Sequence, residues 1–191
     1  MPKIGMEPIR RAALVNATIF EVGLAGSLDV TVGKIASRAG VSSALAHHYF
    51  GGKDALFLAA MRHILSEFGA QVLMALAKSE TDTARVEAVI RASFGSGNFR
   101  PGVIAAWLGF YVEAQRNPEA ARLLRIYQKR LRSNLLFGLR RLHPKDAEQI
   151  AETISALIDG LYIRQALQAK RPEPNQAIEL VLTYLRGALS T

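Results

Sequence analysis

Gly40 separates two runs of residues that read as short helices, and the stretch from Thr31 to Lys53 (TVGKIASRAGVSSALAHHYFGGK) is built around that interruption. Glycine reaches positive φ without a Cβ clash, so it can end a helix where the chain has to turn sharply. Thr31 stands where its oxygen can accept from an early backbone N–H of the first run, and Ser42 does the same for the second. Ile35 and Ala36 are expected to face inward, with Val41 packing back between the helices. Two short helices around a glycine turn form the helix-turn-helix layout, whose second helix enters the major groove of DNA. A plain helical hairpin would show the same glycine and spacing, so the side chains have to decide.

The second helix presents Ser42, Ser43, Ala44, His47, His48 and Tyr49, short polar or aromatic groups suited to phosphates and base edges. Arg10, Arg11, Lys34, Arg38 and Lys53 surround it, and Lys53 opens the next helix, whose first N–H groups can receive a phosphate. The alternative for His48 is packing against the first helix; Phe50 is assigned to the core. Ala44 and Ala46 can meet a thymine methyl but cannot bond a base edge, which leaves much of the specificity to DNA shape and phosphate positioning. A net charge of +8 agrees with a polyanionic partner.

Helical periodicity runs through the rest of the chain, and no alternating β-branched run with a hairpin turn interrupts it. The spacing predicts helices over residues 8–22 (Ile9, Ala13, Leu14, Ala17 and Phe20 inward), 53–78, 84–94, 103–117, 119–141, 144–170 and 176–189. Leu28 and Val30 should turn inward from the loop before Thr31, and GSGNFRPG reads as a flexible connection. The expected class is all-α, with about nine helices: a helix-turn-helix unit at 1–52, then an effector-binding and dimerisation domain at 53–191.

The 191 residues can bury a sizeable core, in one domain or two small ones. No run approaches the roughly 18–20 apolar residues of a membrane span, and MPKIGMEPIRR lacks the apolar centre of a secretory signal. Zero cysteines suit a reducing interior. A cytoplasmic protein, nucleoid-associated when DNA-bound, is expected. Catalysis has no support: the four histidines (47, 48, 63, 143) have no metal-ligand spacing, and no nucleophile elbow or phosphate loop is present. No cofactor, metal or catalytic residue is assigned.

The GVS turn, HYF and the following Gly-Gly-Lys-Asp resemble the TetR family of bacterial repressors over about the first sixty residues. Within that family, MPKIGMEPIRR, ALAHHYF, AWLGFYVEA and ALIDGLYIRQAL are similar to the choline-responsive repressors of glycine-betaine synthesis operons. The resemblance implies a homodimer on palindromic double-stranded operator DNA, released by a small molecule bound in the second domain. It places Ser42, Ser43, His47, His48, Tyr49 and Lys53 at the family's usual DNA contacts, with Thr31 near a phosphate.

A choline sensor has to hold a quaternary ammonium, which has no N–H to donate; aromatic faces contribute ~0.5–2 kcal/mol each, and a carboxylate adds Coulomb attraction. Trp107, Phe110 and Tyr111 form one aromatic set, although ordinary core packing explains them equally well. Asp159 and Tyr162 share a helix face within the apolar ALIDGLY, where a carboxylate needs a partner. Arg164, or an arginine of a second chain, could be that partner; Glu113 and Tyr127 are weaker candidates. A TetR-type sensor of another lipophilic cation or an acyl compound is the alternative. Nine basic residues against one acid between Arg116 and Lys145 read as a solvated helix face with some members pairing neighbouring acids, a second DNA surface being the alternative. Ile150, Ile154, Leu157, Ile158 and Leu161, with the stripe over 178–189, are expected to form a two-fold four-helix interface.

Overall fold

The computed structural model describes residues 5–168 and 172–190, and within these the fold is all-α: nine helices and one 3-10 turn, without a strand. Two compact units emerge, residues 1–65 with 100–122 and residues 66–99 with 123–191. This grouping differs from a cut at Gly52, because it adds later segments to the first three helices.

The first unit holds α1 (Met6–Ala25), α2 (Val32–Arg38), α3 (Ser43–Phe50), the start of α4 (Lys53–Ala77), α6 (Pro101–Glu113) and the start of α7 (Pro118–Leu142). Leu14, Ile35, Leu56, Met61 and Phe110 are fully buried at its centre. The inward stripe of α1 is Leu14, Ala17, Thr18 and Val22, not the wider expected set: Ile9 is 63% and Phe20 50% exposed. Ile9 lies five residues from Leu14, roughly 140° around a helix, which explains the miss. Phe20 is covered from outside by the Arg38 guanidinium, 3.8 Å from its ring centre.

α1 and α6 cross almost backbone to backbone. A Cβ on Gly23 would stand 2.6 Å from the Gly102 Cα, and one on Gly102 would stand 2.4 Å from the Ile19 carbonyl oxygen. Gly109, two turns further along the same face of α6, receives Leu28, whose Cγ would lie 2.6 Å from an added Cβ. Leu28 is thereby half-buried and Val30 buried, as a connector between packed helices requires.

The second unit holds the rest of α4 and α7, with α5 (Asp82–Ser93), the 3-10 turn Ser96–Phe99, α8 (Ala147–Leu167) and α9 (Pro174–Leu189). α8 stops at Leu167, where Gln168 becomes extended at ψ 148°; the expected end at Lys170 lies outside the described residues. The GSGNF segment is not a loose connection. Asn98 is buried, and its Nδ2 donates to the carbonyls of Ser93 (3.0 Å) and Ala92 (3.3 Å), closing the end of α5.

The expected interface faces also need correction. Ile150, Ile154 and Ile158 of α8 and Ile178, Val181, Leu182 and Leu185 of α9 are buried within one chain, where α9 packs on α8 and α5. Leu157 and Leu161 stay half-buried and Leu180 is 55% exposed, a narrower apolar strip. On α7, Arg132 and Arg140 both reach Glu148, and Arg141 reaches Asp82 at 3.2 Å, as expected of a solvated face. The hydrogen bond from Arg140, with Arg132 beside it, holds the Glu148 carboxyl below the usual range. Among the described residues no helix is long and apolar enough to cross a membrane.

Candidate nucleic-acid interface and effector residues

The caps form as the sequence requires. Thr31 Oγ1 accepts from the Lys34 N–H at 3.2 Å, and Ser42 Oγ accepts from the Leu45 N–H at 3.2 Å. Gly40 takes φ +68°, and the Val41 N–H reaches back to the Ala36 carbonyl at 3.0 Å, closing the turn. α3 is oriented by one residue above all. Ala46 is fully buried, so it anchors the helix to the core and cannot meet a base. Ser42, Ser43, Ala44, His47 and His48 are left exposed, with Tyr49 half-buried. His48 does not pack into the core; its ring lies 5.6 Å from that of Tyr49. His47 Nδ1 lies 3.3 Å from the Gly51 carbonyl oxygen.

Two of the surrounding cations are already engaged. Arg11 donates to Glu7 at 2.7 Å, and its guanidinium stands 5.1 Å from the ring centres of both Tyr49 and Phe50. It clamps the end of α3 to α1, and Phe50 is half-buried beneath it rather than deep in the core. Arg38 pairs with Glu21 while covering Phe20, joining α2 to α1. Arg11→Leu should therefore lower operator affinity by about tenfold through a misplaced α3, at roughly 0.5–1 kcal/mol for each stacked ring. The salt dependence of binding should keep its slope; a slope smaller by about one would show a lost phosphate contact instead. Lys53 Nζ lies 4.0 Å from the fully exposed Asp29, a pairing weak enough for a phosphate to replace.

The effector candidates fall in both units. In the first, Trp107 stands edge-on to Phe110 at 5.8 Å and tilted to Tyr111 at 5.8 Å, while Phe110 also meets Phe57 at 6.4 Å and is fully buried. Phe110 is thus a core ring that backs Trp107. Glu113 pairs with Arg116.

In the second, Asp159 is half-buried and accepts the Tyr127 hydroxyl at 3.1 Å, and the Tyr127 ring lies 6.0 Å from Phe68. Tyr127, rated the lesser candidate by sequence, is the tyrosine on Asp159. The two stand on different helices, 32 residues apart, a relation no local spacing reveals. Asp159 also opens onto a groove of about 390 Å³ between α7 and α8, lined by Arg125, Lys129, Arg132, Glu152 and Ser155 among others. Tyr162 has a different employment. Its hydroxyl donates to the Asn98 carbonyl at 2.8 Å and its ring lies 5.2 Å from Phe99. Burial pushes its pKa above the ordinary tyrosine value, so it remains a donor.

Comparison with known proteins supplies the family. Residues 14–60 match the family described as bacterial regulatory proteins, tetR family, and residues 82–190 match the BetI-type transcriptional repressor C-terminal domain. The HTH-type transcriptional regulator BetI of Brucella anthropi is 54% identical over 186 residues, 97% of this chain and 96% of that one. Its namesake in Rhizobium meliloti is 50% identical over 190 residues, 99% and 94% of the two chains. A transcriptional regulator from Pseudomonas aeruginosa PAO1 superposes with a TM-score of 0.84 at 26% identity, covering 98% of this chain and 93% of that one. A transcriptional regulator from Saccharomonospora viridis, solved in complex with choline, superposes with a TM-score of 0.82 at 20% identity, covering 92% and 95%. The relatives are transcriptional regulators of the helix-turn-helix type and not enzymes, and a helix-turn-helix places its second helix in the major groove of DNA. The chain belongs to the TetR family of bacterial transcriptional regulators and carries the C-terminal domain of its BetI-type repressors.

Proposed function

We propose that this repressor is released from its operator by choline and controls genes of glycine-betaine synthesis. The observation that carries this reading is the Asp159 carboxylate under the Tyr127 hydroxyl, with the Phe68 ring beside Tyr127. A carboxylate next to aromatic faces attracts a quaternary ammonium, which an acyl ligand would not need. Trp107 and Tyr111 are the further aromatic candidates. The choline complex of the Saccharomonospora regulator, of the same fold, supports the same ligand class.

In this reading residues 1–52 bind DNA and 53–191 hold effector and partner. Ser42, Ser43, Ala44, His47, His48 and Tyr49 meet the groove, and Thr31 and Lys53 the flanking phosphates. Two copies read a palindrome whose half-site centres lie about 34–36 Å apart or somewhat more. Choline titrated into a protein–operator complex should release the DNA saturably, and operator should weaken choline binding by the same factor. Release by acyl compounds but not by choline would overturn the proposal. Lys53→Ala should weaken binding to all DNA sequences alike and reduce the salt slope by about one; loss of sequence discrimination at constant slope would remove Lys53 from the phosphate contacts.

A further inference from the structure

The chain passes between its two units at three places. Two of these fall inside the continuous helices α4 and α7, and the third lies between Phe99 and Arg100. That third passage is tied down at both ends. On one side Tyr162 of α8 donates to the Asn98 carbonyl at 2.8 Å and lays its ring 5.2 Å from Phe99, while the Asn98 side chain holds the end of α5. On the other side the Arg100 carbonyl accepts from Val103 and Ile104 at 2.9 and 3.0 Å, starting α6 at Pro101. Gly102 follows at once, with no room even for a methyl group against the Ile19 carbonyl of α1. From the residue that Tyr162 grips to the residue that touches α1 the chain is only 98–102. Proline restricts the backbone within it.

We infer that Tyr162 is a positioning residue that transmits effector occupancy at Asp159, three residues earlier on α8, through residues 98–102 to α1 and so to the recognition helix. The inference rests on the reading of Asp159 as an effector residue. Sequence spacing makes Tyr162 a ligand candidate beside Asp159, but its hydroxyl serves the turn at Asn98. A shift of α8 moves Asn98 with it, because breaking that bond would leave a buried hydroxyl unpaired. The motion then reaches a helix crossing that cannot absorb it, since the nearest neighbours of Gly23 and Gly102 are backbone atoms. Coupling of this kind needs packed elements with two discrete arrangements that the ligand biases.

Tyr162→Phe keeps the ring and removes the bond. Choline affinity, by calorimetry, and ligand-free operator affinity should each stay within about threefold of the parent protein. The coupling factor, the ratio of operator affinities without and with saturating choline, should fall at least about fivefold from the usual range of roughly 5–150. Choline binding weakened about tenfold with an unchanged coupling factor would make Tyr162 a ligand contact and overturn the relay. If the parent protein binds no choline, the effector reading fails, and amide exchange in the ligand-free proteins decides the relay. The substitution should then speed exchange at residues 19–23 as well as 101–106; a change confined to 96–99 would refute it.

Discussion

Asp159→Asn should weaken choline binding by about thirtyfold and leave the operator affinity of the effector-free protein within about twofold. The exchange preserves shape, and the amide oxygen can still accept from the Tyr127 hydroxyl that now reaches the carboxylate at 3.1 Å. What disappears is the charge. Two unit charges about 4 Å apart attract by roughly 4 kcal/mol at an effective dielectric constant near 20. Desolvation of the cation and carboxylate offsets part of this, and a net ~2 kcal/mol corresponds to about thirtyfold. Calorimetry with choline gives the first number and titration of labelled operator the second. Parallel losses of melting temperature and of operator binding would assign Asp159 to the fold instead.

Gly23→Ala should lower the melting temperature by roughly 4–8 °C, against the ordinary trend. Alanine is the better helix former by about 1 kcal/mol, so the change would stabilise an open helix position. Here the new methyl carbon would sit 2.6 Å from the Gly102 Cα and 2.7 Å from its nitrogen. Neither atom can rotate aside, so α1 and α6 have to separate along the crossing. Overpacking costs about 1–3 kcal/mol; against backbone atoms this close it falls at the top of that range, and about 3 kcal/mol less the helix gain of about 1 leaves a net loss of about 2 kcal/mol, which gives the stated shift for a chain of this size. Gly69→Ala is the control: it lies within α4 with nothing inside 4 Å of an added Cβ, and should raise the melting temperature slightly. If both substitutions stabilise, the crossing is looser than its geometry implies.

The recognition element was largely legible before any coordinates because its determinants are local. Thr31 with Lys34 and Ser42 with Leu45 are capping relations three residues apart, and Gly40 takes its positive φ within the turn it makes. Which side of α3 faces outward was less legible. Ala44 and Ala46 are chemically identical, and only packing shows that Ala46 is the one enclosed. Sequence likewise set Arg11 and Arg38 among the basic residues around the second helix, whereas Arg11 covers Tyr49 and Phe50, Arg38 covers Phe20, and each pairs with a nearby glutamate. An arginine's net charge says nothing of where its guanidinium lies.

The sequence by itself determined the helical class, the capped helix-turn-helix with its glycine, and a basic charge suited to a polyanion. Those follow from periodicity, from bonds spanning three to five residues, and from residue type. Tertiary structure alone decided that Tyr127 rather than Tyr162 attends Asp159, and that Tyr162 instead fastens the turn before α6. It alone decided that most of the apolar faces of α8 and α9 are spent within one chain, and that α1 and α6 meet through glycines. Periodicity reveals that a helix has an apolar side, but the partner of that side is chosen by contacts tens of residues away.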